Sequence, residues 1–285
     1  MADGLKGAIP ARLDWLRSSD RGRAWLDSLP QSVEESAARW RLELDDPFSD
    51  SFTSLAIPGR EADGTDVVLK VQYIDRETEH EAMALREWSG DGAILLLDEF
   101  PERHALLLER CIPGTPVPPE IGLDVLIGLL PRLWKPATAP PFRSLAEEAS
   151  HWAATLQANR HANSSLVDAA LDAIAALAAS QGEQVLIHQD LHGSNVLAAQ
   201  REPWLVIDPK PLAGEREFGL APIIRSQELG SGRVATLRRL DRLTSELGLD
   251  RERARLWCVA QTVTWSLAEG YVPEHVEVVG WLLEG

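Results

Sequence analysis

The sequence contains few cysteines, few lysines and no long apolar run. Its only cysteines, Cys111 and Cys258, are too few among 285 residues for a disulfide scaffold or a zinc site built from several thiolates. No apolar stretch approaches the roughly 18–20 residues that a membrane-spanning helix needs. The first residues, MADGLKGAIPARLDWL, lack the charged-then-apolar pattern of a secretory signal, so we expect a cytoplasmic protein.

Acidic residues dominate the charge. The chain has 44 Asp and Glu against 28 Lys and Arg, which gives a net charge of −16. This charge repels a phosphate backbone, so we expect no nucleic-acid partner. Since no apolar run is long enough to span a bilayer, we also expect no membrane partner. It favours a cationic small molecule, although acidity can also serve solubility alone. Nothing in the composition implies a protein partner.

The apolar pattern predicts an α+β protein with a strand-rich lobe at residues 1–112 and a mainly helical lobe at 113–285. Residues 1–45 read as a helical leader in which Pro10 opens one helix and a capping box from Ser32 to Glu35 opens another. The rest of the first lobe reads as strands SFTSLAIP and VVLKVQY, a helix RETEHEAMALREW capped by Asp75, and two buried strands, AILLLDEF and HALLLERC. The stiff segment PGTPVPP at 113–119 is typical of a linker.

The strongest chemical signal lies in the second lobe, in the run IHQDLHGSNVL followed by WLVID. A predicted hairpin, with strands at 196–199 and 204–207, returns Asp208 to the neighbourhood of Asn195, while Asp190 stays in the preceding loop. Two oxygen ligands suit Mg²⁺, and a separate aspartate can accept a proton from a hydroxyl. This division of labour is that of phosphoryl transfer, and the order His-x-Asp-x4-Asn with a later Asp is that of the protein-kinase catalytic loop.

Lys70 is a cation inside the otherwise apolar strand VVLKVQY. Burying it is costly unless it meets anions, which could be nucleotide phosphates or a carboxylate. Glu77, Glu79 and Glu81 of the next helix compete as its partner, and Glu81 is favoured because it borders the apolar face. A solvent-exposed edge-strand lysine is the alternative.

Two further stretches of the first lobe have positions that suit a nucleotide. The segment from Glu109 to Cys111 ends the last strand, where free backbone groups could hold an adenine edge, and Cys111 itself reads as a small apolar residue. The turn SDSF at 49–52, with Ser51 near its centre, is the expected phosphate-covering turn.

These motifs resemble the aminoglycoside phosphotransferase superfamily, and more narrowly its aminoglycoside/hydroxyurea antibiotic-resistance kinases, which include streptomycin 6-phosphotransferases. The matching stretches extend from about residue 50 to 225 and include VVLKV, HEAMALREWSGDGAILLL, LLLERCIPG, HQDLHGSNVL and WLVIDPKPLAGEREFGLAPIIR. The resemblance implies a bilobal protein-kinase-like fold, with residues 1–112 as the nucleotide-binding lobe. It also implies ATP and Mg²⁺ as cofactors and transfer of phosphate to a small-molecule hydroxyl.

The resemblance further implies a role for each matched residue. Lys70, held by Glu81, would bind the α and β phosphates. Asp190 would be the catalytic base, and Asn195 and Asp208 would be the metal ligands. His188 would brace the loop, and His192 would either steady the γ-phosphate or serve structure alone.

Several positions depart from protein kinases. Gln189 replaces the arginine that senses activation-loop phosphorylation, Asp208-Pro209-Lys210 replaces Asp-Phe-Gly, and no glycine-rich loop precedes Lys70. Only about a dozen residues separate Asp208 from the next helix-like segment at Leu220, which is too short for a long regulatory loop. These differences favour a small-molecule kinase that is always active.

The sequence identifies the acceptor less clearly than it identifies the nucleotide-binding and catalytic residues. Trp265 and Glu269 lie four residues apart on one predicted helix, where they could meet a guanidinium-rich sugar, although core packing and a solvated surface explain them equally well. We expect a streptomycin-type aminoglycoside as the acceptor. Hydroxyurea or another small metabolite is the alternative, and an inactive nucleotide-binding module is a lesser one.

Overall fold

The computed structural model describes residues 9–159, 164–268 and 272–285. The chain folds as two compact units. The first contains Met1–Gly114 and Ala199–Arg201, and the second contains Thr115–Ala198 and Glu202–Gly285. No helix in the described ranges combines the length and apolar character needed to cross a membrane.

The first unit is built on an antiparallel five-stranded sheet. Its order is β1-β2-β3-β5-β4, and the central strand β3 carries Lys70 opposite Ala56 on one side and Leu106 on the other. The elements of this unit are α1 (Asp20–Trp40), β1 (Glu43–Leu44), β2 (Ser54–Arg60), β3 (Asp66–Gln72), α2 (Glu81–Trp88), β4 (Leu96–Phe100) and β5 (Ala105–Glu109).

The helical leader covers one face of this sheet. A 3-10 helix at Ala11–Ser18 and then α1 pack their leucines against Leu69 and Val71 of β3. Each fully buried leucine contributes roughly 1.5–3 kcal/mol. Because side chains alternate along a strand, Lys70 projects from the opposite face, away from this apolar cluster.

Three expectations for the first unit are wrong in detail. Helix α1 begins after Ser19, whose side chain accepts from Gly22 N, and it runs through Ser32, so no second helix starts there. Asp75 caps a turn rather than a helix, since its Oδ1 accepts from the backbone of Glu77 and Thr78 and α2 begins only at Glu81. Strand β4 was expected to be buried, but it is an edge strand and is partly exposed.

The second unit is mainly helical. Its long helices are α3 (Pro119–Leu133), α4 (Leu145–Ala158), α5 (Ser164–Leu177), α7 (Arg233–Leu247), α8 (Arg251–Ala268) and α9 (Pro273–Glu284), with a short α6 (Ala221–Arg225). The predicted helix at 233–247 is confirmed, whereas α9 occupies what the sequence suggested was a short tail. Phe218 packs between Trp152 and Trp257, with ring centroids 5.6 Å apart in both pairs.

Two small two-stranded antiparallel sheets carry the candidate site of the second unit. Strand β6 (Val185–His188) pairs with β9 (Pro211–Gly214), a strand that the sequence pattern did not predict. Strand β7 (Val196–Ala198) pairs with β8 (Trp204–Val206), so the predicted hairpin is confirmed to within one residue at each strand end. The loop with Asp190 connects β6 to β7.

Candidate active site

Lys70 is buried in the first unit against a carboxylate. Its Nζ lies 2.7 Å from both side-chain oxygens of Glu81, the first residue of α2. Gln72, two residues further along β3, donates to Glu81 Oε2 at 2.7 Å. Both members of the pair are almost fully buried, so each charge depends on the other. Of the three competing glutamates, the structure pairs Lys70 with Glu81.

The loop before β7 is fixed by His188, the last residue of β6. His188 Nδ1 accepts from Asp190 N at 3.2 Å, and Nε2 lies 3.1 Å from Ile207 O. One accepting and one donating nitrogen describe a neutral ring. Burial lowers the pKa of His188 to about 4, so the neutral form persists at physiological pH. His188 therefore links the Asp190 loop to the end of β8.

The β7–β8 hairpin sets the spacing of the two expected metal ligands. Val196 pairs with Val206, and Ile207 N donates to Asn195 O at 3.0 Å. Asp208 follows directly and has a left-handed backbone, with φ 53°, a conformation that aspartate tolerates better than most residues. Asn195 and Asp208 thus both flank the open end of the hairpin.

The donor set at this hairpin end fits Mg²⁺. Asn195 Nδ2 donates to Asp190 O at 2.9 Å, which leaves the amide oxygen as the atom that can bind a cation. Mg²⁺ is usually held by one or two protein carboxylates together with substrate phosphates and water. In the part of the chain that the structure describes, no three His, Cys, Asp or Glu side chains form a metal cluster.

Asp190 lies among positive charges that the sequence analysis did not single out. Lys210 Nζ is 3.0 Å from Asp190 Oδ2, and Arg225 lies 3.9 Å from Oδ1. Burial by itself would raise the pKa of Asp190, but Lys210, His192 and Arg225 outweigh burial and hold this pKa below its ordinary value. Asp190 is therefore an ionised hydrogen-bond acceptor at neutral pH.

The imidazole ring of His192 contacts the carboxylate of Glu228. Its Nδ1 lies 3.2 Å from Glu228 Oε2, and its Nε2 lies 3.3 Å from Asn195 Nδ2. Burial alone would lower the pKa of His192, but Glu228 and Asp190 raise it above the ordinary value. Glu228 also accepts from Ser194 N and Ser194 Oγ, and these partners overcome burial to lower its pKa to about 2. A Cβ at Gly193 would lie 2.9 Å from Glu228 Oε2, so glycine permits this close approach.

Gln189 occupies the position of the regulatory arginine of protein kinases. It is fully buried, and its side-chain amide has no hydrogen-bond partner among the described residues. Its backbone is held on both sides, since Gln189 N donates to Lys210 O at 3.0 Å and Gln189 O accepts from Gln261 Nε2 at 2.9 Å. The residue before Asp190 therefore fixes the loop through its backbone.

The end of β5 is tied to residues of the hairpin tip. Arg201 Nε and Nη2 each donate to the Glu109 carboxylate at 2.9 Å, and Arg201 also donates to Gly90 O and Ala93 O. The Glu109 side chain is thus engaged within its own unit, which leaves any adenine contact to the backbone after it. Burial raises the pKa of Cys111 to about 12, so this residue stays a neutral thiol.

The expected phosphate-covering turn is braced by the leader. Trp15 Nε1 donates to Phe52 O at 2.9 Å, and the two rings stack with centroids 5.4 Å apart. Ser51 Oγ lies 3.4 Å from both Phe48 O and Ala56 N. The turn is thus shaped by an aromatic contact and a serine, in a chain that has no glycine-rich loop there.

Trp265 lies against cations of its own chain. The Arg225 guanidinium carbon is 4.5 Å from the centroid of a Trp265 ring, and Lys210 Nζ is 5.5 Å from it. Glu269, its expected neighbour, falls outside the described residues.

Three residues of this charged cluster are not among the sequence predictions: Lys210, Arg225 and Glu228. Only Lys210 carried a signal, as one of just four lysines, two residues after Asp208.

Comparison with known proteins places the chain in a family. The family model described as aminoglycoside/hydroxyurea antibiotic resistance kinase matches residues 39–269. The chain is 38% identical to streptomycin 6-kinase of Streptomyces griseus over 88% of this chain and 87% of that protein. It is 38% identical to hydroxyurea phosphotransferase of Kitasatospora aureofaciens, over 93% of this chain and 81% of that protein.

A solved structure independently supports the fold. The choline kinase LicA from Streptococcus pneumoniae superposes with a TM-score of 0.63 at 15% identity, over 90% of this chain and 98% of that chain. The predicted α+β fold of the protein-kinase type is therefore confirmed. The chain is a phosphotransferase that belongs to the aminoglycoside/hydroxyurea antibiotic resistance kinase family.

Proposed function

We propose that this kinase transfers the γ-phosphate of ATP, with Mg²⁺, to a hydroxyl group of a small molecule. The observation that carries the proposal is the arrangement around the β7–β8 hairpin. An ionised Asp190 is fixed through its backbone to Asn195, and the backbone of Asn195 is fixed to that of Ile207, the residue before Asp208. An inactive nucleotide-binding module is disfavoured because all of these groups are retained.

The roles of the nucleotide-binding residues follow from their chemistry. Lys70, kept in place by Glu81, contacts the α and β phosphates. The turn around Ser51 covers the phosphates, and the backbone from Glu109 to Cys111 receives the adenine edge. Residues 1–112 thus act as the nucleotide-binding lobe, and residues 113–285 carry the catalytic loop and the acceptor site.

Asn195 and Asp208 are the residues that would hold Mg²⁺. When bound there, the cation offsets the negative charge that develops on the phosphate oxygens. The requirement for ATP also fits a cytoplasmic location, where this nucleotide is supplied.

Asp190 acts on the acceptor. Its ionised carboxylate accepts the hydrogen of the hydroxyl and aligns the oxygen with the γ-phosphorus. The new oxygen–phosphorus bond forms as the bond from that phosphorus to the β–γ bridging oxygen breaks, and the hydroxyl proton passes to Asp190. His192 lies close enough to both Asp190 and Asn195 to steady the transferring phosphate.

The acceptor that we propose is a streptomycin-type aminoglycoside, phosphorylated at the 6-hydroxyl. Similarity to the Streptomyces griseus streptomycin 6-kinase supports this choice, and a net charge of −16 attracts a cationic drug. Trp265 and Glu269 remain the candidate acceptor contacts. A phosphate adds about −1.5 to −2 charges at neutral pH, which weakens the binding of a cationic drug to RNA and so confers resistance.

Hydroxyurea is the second candidate acceptor. The Kitasatospora aureofaciens hydroxyurea phosphotransferase is as similar to this chain as the Streptomyces griseus streptomycin 6-kinase is, with 38% identity in both comparisons. Hydroxyurea is neutral and small, so it needs no acidic site. The charge of this chain therefore favours the aminoglycoside.

Mass spectrometry of a panel of acceptors tests the proposal. The protein is incubated with ATP, Mg²⁺ and, separately, streptomycin, other aminoglycosides and hydroxyurea, and each product is examined for an added mass of about 80 Da, that of one phosphate group. We expect phosphate on streptomycin. Phosphate on hydroxyurea alone would select the second candidate, and phosphate on no acceptor would overturn both.

A further inference from the structure

Lys210 is placed to control which oxygen of Asp190 is available for chemistry. Its Nζ lies 3.0 Å from Asp190 Oδ2, and its side chain is only 14% exposed. The residue follows β8 by a short link through Pro209 and precedes β9. Its backbone carbonyl also accepts from Gln189 N. Lys210 therefore contacts the catalytic loop by both main chain and side chain.

The second oxygen of Asp190 has a different environment. Arg225 and His192 each lie 3.9 Å from Oδ1, which is longer than a hydrogen bond. Arg225 does not come closer because it is held elsewhere, by Gln261 Oε1 and by the face of Trp265. Oδ1 thus receives favourable charge, while neither Arg225 nor His192 donates a hydrogen bond to it.

Helix α8 holds this arrangement together. Gln261 accepts from Arg225 and donates to Gln189 O, so one side chain holds both a cation and the backbone before Asp190. Trp265, one turn further along α8, faces both Lys210 and Arg225. The carboxylate, its two cations and the loop are therefore positioned by the same helix face.

We propose that Lys210 is a positioning residue that holds Asp190 by Oδ2, so that Oδ1 is the oxygen that accepts the acceptor hydroxyl. The inference rests on the proposed function of Asp190 as the base. Rotation of the carboxylate about Cβ–Cγ would break its contact with Lys210, so alignment of the hydroxyl with the phosphorus depends on a single defined atom. A misplacement of about 1 Å at a reacting group can cost roughly 10²-fold in rate.

Three variants test the proposal, with kcat and KM measured for both substrates. Lys210→Met keeps most of the side-chain volume and removes the charge, so we expect kcat to fall about 10²-fold while KM for ATP and KM for the acceptor change less than about 3-fold. Lys210→Arg should recover at least about 10-fold of the loss, because a guanidinium can also hold one carboxylate oxygen. Lys135→Met, a lysine of the same unit outside this cluster, should keep full activity.

A double-mutant cycle separates positioning from an independent role. If Lys210 acts through Asp190, then adding Lys210→Met to Asp190→Ala should change kcat by less than about 2-fold. Losses that multiply in the double variant, a loss that appears wholly in KM for ATP, or full activity of Lys210→Met would each overturn the proposal.

The same cycle is measured for slow hydrolysis of ATP without an acceptor, in which water replaces the hydroxyl. This second readout does not depend on the identity of the acceptor. If the wild-type protein hydrolyses ATP but phosphorylates no acceptor of the panel, the proposed acceptor class fails, and the hydrolysis cycle still decides the role of Lys210.

Discussion

Lys70 Nζ lies 2.7 Å from both carboxylate oxygens of Glu81, and both side chains are almost fully buried. This pair joins the central strand of the sheet to the first turn of α2. A buried pair is a weak source of net stability, but removal of one partner leaves an uncompensated charge. The pair should therefore affect the free energy of unfolding, and this effect can be tested independently of catalysis.

Glu81→Ala should lower the free energy of unfolding by about 3–5 kcal/mol, because the buried Lys70 loses the carboxylate that lies 2.7 Å from its Nζ. Urea denaturation measures the change. The matched control is Glu87→Ala, which alters an exposed glutamate of the same helix and should change stability by no more than about 0.5 kcal/mol. Equal losses in the two variants would show that the Lys70–Glu81 pair has no special role.

Acidification should destabilise the protein through His188. Burial lowers its pKa in the folded protein to about 4, against an ordinary value of 6.5, so between these values the unfolded chain binds more protons. The free energy of unfolding therefore falls as the pH drops from 6.5 towards 4, by about 3 kcal/mol for this group. His275, whose pKa burial also lowers to about 4, acts in the same direction.

Denaturation at a series of pH values measures this slope. His188→Gln should reduce the slope of the unfolding free energy against pH between pH 4 and 6.5. The reduction corresponds to the loss of up to one proton taken up on unfolding. An unchanged slope in this variant would mean that His188 is already protonated in the folded state.

Glu228 should control the pKa of His192. Glu228→Gln removes the anion that lies 3.2 Å from Nδ1, so the pKa of His192 should fall. NMR titration of the imidazole Cε1 proton reports this value directly. Glu246→Gln, on the exposed surface of α7, serves as the control and should leave the titration in place. A His192 titration that does not move in Glu228→Gln would contradict the described contact.

Asp208→Asn should raise the Mg²⁺ concentration needed for half-maximal activity at least about 10-fold, because one carboxylate ligand becomes a neutral amide. Asparagine also tolerates the left-handed backbone found at this position, so the substitution tests charge rather than strain. Asp172→Asn, an exposed site on α5, is the control. An unchanged Mg²⁺ requirement would remove Asp208 from the proposed ligand set.

The sequence predicted best where short-range patterns decide the structure. Alternation within VVLKVQY located β3 and Lys70, and the turn between 199 and 204 located the β7–β8 hairpin. Helix starts were less accurate, because Ser32 and Asp75 are good capping residues wherever they occur. Packing decided otherwise, since α1 continues through Ser32 to cover the sheet with its leucines.

The sequence could not predict the charge network around Asp190. Arg225 and Glu228 are distant from the catalytic loop along the chain, and no local pattern distinguishes them from the other arginines and glutamates. Strand β9 was missed for a related reason, because PLAG has no alternating apolar pattern and is a strand only through its pairing with β6. Long-range strand pairing and ion contacts are set by the tertiary fold and leave no local pattern in the sequence.

The turnover of Asp190→Asn tests whether Asp190 is the base for phosphoryl transfer. This variant keeps the shape of the side chain and removes its capacity to accept the hydroxyl proton, so kcat for phosphorylation of the acceptor should fall by about 10²–10⁴-fold. Its dissociation constant for ATP, measured by calorimetry, should stay within about 3-fold of the wild-type value. Wild-type turnover in Asp190→Asn would contradict the assignment of this residue and the mechanism built on it.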